Sequence, residues 1–149
     1  MAKAFCTITG VVEAPHATLV ELLTTVHAGP IGPDNAFFLA EGPEPEMTLT
    51  GGPNHFRAPI TGHPKGIRVD VDRARALLTV ENPLGFRAEC QVTPHPKGAR
   101  LTQQVFPTGA TGRLMFSVLG RKAADQQRIG MQRLLARITE HLDCPAYLE

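Results

Sequence analysis

The stretch Phe86-Arg87-Ala88-Glu89-Cys90-Gln91-Val92-Thr93-Pro94-His95-Pro96-Lys97-Gly98-Ala99-Arg100-Leu101-Thr102-Gln103-Gln104-Val105 decides the reading of this chain. In its first half Phe86, Ala88, Cys90 and Val92 alternate with Arg87, Glu89, Gln91 and Thr93. Successive side chains of a strand point to opposite faces, so a period of two with one apolar set predicts a sheet covered on one side only. At His95-Pro96-Lys97-Gly98 the alternation stops. Proline presets the first central residue of a turn, and glycine supplies the left-handed position that follows. Beyond the turn Leu101 and Val105 resume the apolar face, and Gln103 falls between them on the inward side.

The same punctuation recurs along the chain. Besides His95–Gly98, the pattern x-Pro-x-Gly occurs at Gly29-Pro30-Ile31-Gly32, His63-Pro64-Lys65-Gly66, Asn82-Pro83-Leu84-Gly85 and Phe106-Pro107-Thr108-Gly109. A type I turn closed by a left-handed glycine is a common hairpin loop. Most copies follow residue 60 and separate short segments of strand character, which predicts an antiparallel meander. Ile67, Val69 and Val71 share one face against Arg68, Asp70 and Asp72. Residues 75–81 form a further strand after a turn at Asp72-Arg73-Ala74, residues 46–51 and 55–61 pair around Gly52-Pro53-Asn54, and residues 4–13 form the first strand.

Helices bracket this sheet. Pro15 suits a first helical turn, and Leu19, Leu22, Leu23 and Val26 give a short amphipathic stripe ended by His27. Residues 34–40 add a helical turn. Ile129, Leu134, Leu135, Ile138 and Leu142 recur at helical spacing, with Arg128, Arg133 and Arg137 on other faces. Gly120 and Gly130 each cost a helix about 1 kcal/mol relative to alanine. A break is therefore expected near Gly120, with the main helix over about 121–142. The order is strand, short helices, six strands, long helix: an α+β domain over residues 1–149, with a curved antiparallel seven-stranded sheet wrapped around a C-terminal helix. A sheet and a helix with one apolar face each bury both by curling together. The gap left at one end is a natural pocket.

Composition bounds the chemistry. With 149 residues the chain is long enough for one core without staples. The formal net charge of +1 encodes no global attraction to nucleic acid. Between Arg113 and Arg137 six basic residues face one acid, Asp125, without the interleaved aromatics of a nucleic-acid platform. The three cysteines, Cys6, Cys90 and Cys144, form no CxxC pair for zinc or redox work. No secretory h-region follows the N-terminus and no run of about 18 apolar residues occurs, so a cytoplasmic protein without a membrane span is expected. Ser117 is the only serine and lacks a nucleophile-elbow context. No Walker loop, dinucleotide fingerprint or HExxH motif is present, and no metal or other cofactor is expected.

The pattern resembles the START-like helix-grip superfamily, also called SRPBCC, which includes the major birch-pollen allergen, lipid-transfer START domains and polyketide cyclases. The resemblance covers nearly the whole chain. It rests on the opening Ile8-Thr9-Gly10-Val11-Val12-Glu13-Ala14-Pro15, on Val92 through Thr102, and on Gly112-Arg113-Leu114 through Leu119-Gly120-Arg121 leading into the last helix. The tryptophan-proline segment of many members is missing: the corresponding residues read Pro33-Asp34-Asn35-Ala36-Phe37-Phe38. The resemblance implies a hydrophobic cavity that binds a lipid or polyketide-like molecule. Its alternatives are a cyclase or aromatase working in the same cavity and an interaction module whose cavity has collapsed. The fold alone does not choose among them.

The candidate residues follow from these patterns. Phe37, Phe38, Met47, Phe86, Met115, Phe116 and Met131 are the apolar candidates for the cavity wall. A buried amide at Gln103 needs a partner: a backbone group, a water or a ligand atom. His55 and Arg57 alternate with Phe56, Ala58 and Ile60. If the apolar set faces inward, the polar pair faces solvent; at the cavity mouth the reverse holds, and His55 would then serve as acid or base beside an orienting Arg57. A monomer and a homodimer covering the cavity mouth both fit the sequence.

Overall fold

A computed structural model of the chain describes residues 3–40, 47–60 and 62–149. In chain order the elements are β1 (Cys6–Val12), α1 (His16–Thr24), β2 (Gly29–Pro30), a 3-10 turn (Phe37–Leu39), β3 (Thr48–Gly51), β4 (His55–Ile60), β5 (His63–Asp72), β6 (Leu77–Asn82), β7 (Phe86–His95), β8 (Gly98–Pro107), α2 (Gly109–Leu142) and β9 (Ala146–Leu148). The strands join one antiparallel sheet in the order β2-β3-β4-β5-β6-β7-β8-β1-β9. The meander runs neighbour to neighbour from β3 to β8, and β1 closes onto β8 with Ile8 opposite Gln103.

The sheet has nine strands among the described residues, not the seven expected. The additions, β2 and β9, are two and three residues long, too short to show a period. β9 forms because the chain leaving α2 returns along the free edge of β1, with Glu13 N–H donating to the Pro145 carbonyl at 2.9 Å and Glu149 N–H to Thr9 at 3.0 Å. Glu46 and Thr61, at the ends of two expected strands, lie outside the described residues.

The proline-glycine punctuation has several uses. Asn82–Gly85 and His95–Gly98 are the hairpin turns of β6-β7 and β7-β8, with positive φ at Gly85 and Gly98. His63–Gly66 is not a turn. It lies within β5, where Gly66 at φ 64° marks an irregularity opposite Ala58–Ile60; a side chain there would stand 2.2 Å from the Ala58 carbonyl oxygen. A left-handed glycine fits a bulge as well as a turn, and sequence does not separate the two. Phe106–Gly109 turns β8 directly into α2, and Gly29–Gly32 contains β2.

One face of the sheet carries the core. Phe56, Val69, Leu78, Val92, Leu101 and Val105 are all buried, and Met131, Leu135 and Ile138 of α2 are sealed against them and their neighbours. Gly10 lets helix and sheet approach closely: a side chain on it would stand 2.9 Å from a Leu135 methyl. The helix breaks at Gly120, with φ 46° and ψ −119°, where the expected break lies; its first half is helical too, from Gly109. Arg73, in the turn after β5, clamps the end of α1 by donating to the Thr24 and Val26 carbonyls and, at 2.9 Å, to Pro53. The Thr24 carbonyl ends the helix without a partner inside it, and a cation suits that end of its dipole. His27 lies beyond the α1 cap residue Thr25 and bonds through its backbone N–H to Asn35, so it does not cap the helix. No helix among the described residues is long and apolar enough to cross a membrane.

Candidate functional site

A transverse row on the inner face of the sheet runs Ile8–Gln103–Cys90–Leu78–Val71 through directly paired residues. Gln103 is its one amide among apolar and thiol side chains. Strand alternation places it there, because Leu101 and Val105, two residues either side, are fully buried on the same face. Among the described residues no group hydrogen-bonds its side chain, and its amide is not sealed off either. It faces a cavity.

That cavity has a volume of about 540 Å³ and lies between the sheet and the second half of α2. Cys90 and Gln103 of the sheet and Phe38 of the 3-10 turn form one side. Gln126, Ile129, Gly130 and Arg133 form the helix side, a stripe at three- and four-residue spacing. Leu134 and Arg137 extend it. A side chain at Gly130 would meet nothing within 4 Å, so glycine leaves the space open. Burial pushes the Cys90 thiol up to about 12, which keeps it protonated and unreactive at neutral pH.

The sequence candidates divide by position. Phe38 and Gln103 line the cavity. Met131 is sealed in the core, and Met47 packs half-buried at its edge. Phe37 is buried beside it, under the Arg137 guanidinium (4.7 Å) and the His141 ring (4.8 Å). Phe116 packs against Phe5 at 4.7 Å and edge-on to Phe86 at 6.4 Å, a separate cluster beneath the first half of α2, where Met115 is half-buried. The sequence candidates for the site do not include Gln126, Gln127, Arg133 or Gly130. The signal was their helical phase relative to Leu134, beside the apolar stripe rather than within it.

His55 and Arg57 stand on the other face of the sheet. Phe56 between them and Ala58 after them are buried, and the His55 side chain is 81% exposed. Its Nδ1 lies 2.7 Å from Asp70, which also accepts from Arg68 Nε at 3.1 Å; Arg68 in turn pairs with Glu81 at 2.9 Å. Arg57 donates to the Lys65 carbonyl at 3.1 Å. These residues edge two hollows of about 530 and 870 Å³. Both are wider to solvent than the inner cavity, and their ionic groups are largely satisfied by one another. Among the described residues no three histidine, cysteine, aspartate or glutamate side chains gather as a metal site.

No family model matches the chain, and no curated protein does. Among solved structures, it is similar to a solution NMR structure of a structural-genomics target from Thermobifida fusca, at 17% identity and a TM-score of 0.42, covering 91% of this chain and 94% of that one. At this level of likeness the fold rests on the chain's own topology.

Proposed function

We propose that this chain is a START-like helix-grip protein that binds a small hydrophobic molecule between its sheet and its C-terminal helix. The observation that carries the reading is the cavity of about 540 Å³ into which Gln103 presents an amide without a partner among the described residues. Its volume sits within the range of roughly 300–1,000 Å³ typical of small-molecule sites, which speaks against a collapsed interaction module. Its wall combines Phe38, Ile129 and Leu134 with polar side chains that can orient a ligand, Gln103 and Arg133 among them.

A binding role is favoured over a cyclase or aromatase. Acid-base catalysis needs a group whose pKa lies near the working pH. The cavity offers glutamines, arginines and a thiol held near 12. The histidine that would have served, His55, faces solvent across the sheet. Native mass spectrometry of protein purified from its own source tests the reading. One small apolar molecule per chain, released on denaturation, is the expected result. A mass equal to the bare chain, together with no uptake of added hydrophobic probes, would overturn it.

A further inference from the structure

The cavity has a charge as well as a shape. Arg133 and Arg137 line it together with Gln103, Gln126 and Gln127, and among the described residues no carboxylate lines it. Arg137 is engaged, donating to the Phe37 carbonyl and lying over the Phe37 ring. Arg133 is different: it is exposed at the solvent side of the cavity and has no ion pair among the described residues. The surrounding helix strengthens its field, because Arg128 and Arg137 flank it and Asp125 is the only acid between Arg113 and Arg137. The opposite face of the sheet is built otherwise. There Arg68 is answered by Asp70 and Glu81, and Arg87 by Glu89.

We infer that the ligand is an amphipathic organic carboxylate, bound with its apolar body against Phe38, Ile129 and Leu134 and its carboxylate at the mouth on Arg133. This rests on the binding role proposed above and names the ligand class for that site. A planar guanidinium offers paired N–H donors that match the two oxygens of a carboxylate. An organic cation would meet two arginines and, among the described residues, no counter-charge. Deeper in, Gln103 both donates and accepts, so it takes a carbonyl or hydroxyl on the ligand body. Arg133 thus sets orientation and selects for the anion, and Gln103 selects among anions.

Dodecanoate and its neutral counterpart dodecanamide, titrated calorimetrically into the full chain at neutral pH, test this. The expected result is roughly tenfold tighter binding of the carboxylate, the scale of a charge-assisted hydrogen bond over a neutral one. Arg133→Gln should erase that preference, chiefly by weakening dodecanoate. Arg128→Gln, on the same helix but outside the cavity lining, should keep it. Equal affinity for the two probes, or a preference that survives Arg133→Gln, would overturn the inference and leave the binding role standing. Failure of both probes to bind would overturn the binding role and this inference with it.

Discussion

The two faces of the sheet treat polar groups in opposite ways. On the outer face His55, Asp70, Arg68 and Glu81 are linked in series across β4, β5 and β6, and Arg87 both pairs with Glu89 and lies 4.6 Å over the Phe106 ring. On the inner face Gln103 sits in an apolar row with no partner among the described residues. Water covers the outer face, so its ion pairs contribute little and their loss costs little. On the inner face Gln103 is half-buried in an apolar row, so its amide is left to bond whatever occupies the cavity, water or ligand. A satisfied network, even one containing a histidine and a carboxylate, is weak evidence of function. A half-buried amide that faces a cavity with no protein partner among the described residues is stronger.

The comparison can be broken at several points. The largest effect is expected at Gly130, whose missing side chain keeps the cavity open. Gly130→Phe should weaken ligand binding by roughly tenfold or more while the thermal transition holds, since the helix loses a glycine. Calorimetric titration with dodecanoate beside a melting curve checks both. Next is Gln103→Leu. Ligands bearing a carbonyl or hydroxyl should lose about 1–3 kcal/mol of affinity, purely apolar ones should lose none, and the fold should be as stable or more so. An unchanged selectivity profile would return Gln103 to a structural role.

On the outer face the expected effects are smaller. Asp70→Asn removes the centre of the ionic series, yet it should cost only about 0–1 kcal/mol in a denaturant titration and leave binding unaltered. His55→Ala should likewise leave binding unaltered. A loss of binding in either variant would mean that the two faces communicate, and the contrast drawn here would fail.

The smallest effect is a pH dependence at the sheet edge. Hydrogen bonds from Arg100 at 2.6 and 2.7 Å, then its charge and that of His95, hold the Glu149 carboxyl down at about 2, below its ordinary 4.5. A carboxylate with a depressed folded pKa stabilises the native state above its unfolded value and loses that contribution as protons bind. Glu149→Gln should therefore melt slightly below the parent chain at pH 6, and the two curves should converge as pH falls from 4.5 toward 2.

Much of the architecture was legible because it rests on local rules. Alternation at Phe86–Val92 and Ile67–Asp72 predicts strands and their inward faces, and the intervening turns predict neighbour-to-neighbour pairing. A glycine without a side chain to hold the helix predicts the break at Gly120. The inward position of Gln103 is local as well, since it follows from the parity of Leu101 and Val105. His63–Gly66 misled for the complementary reason: proline and glycine specify backbone angles, and the same angles serve a turn or an irregular strand.

Local sequence dictates the element order, the inward set of each long strand and the inward amide of Gln103. These depend on residues near one another in the chain, whose geometry the backbone enforces. Tertiary structure alone decided the rest. It returned β9 along β1, set Arg73 across the end of α1, turned His55 and Arg57 to the outer face and brought Arg133 to the mouth of the cavity opposite Gln103. Each of those placements depends on which helix face meets which strand. That is set by the collective burial of side chains such as Met131, Leu135 and Ile138, and no local pattern encodes it.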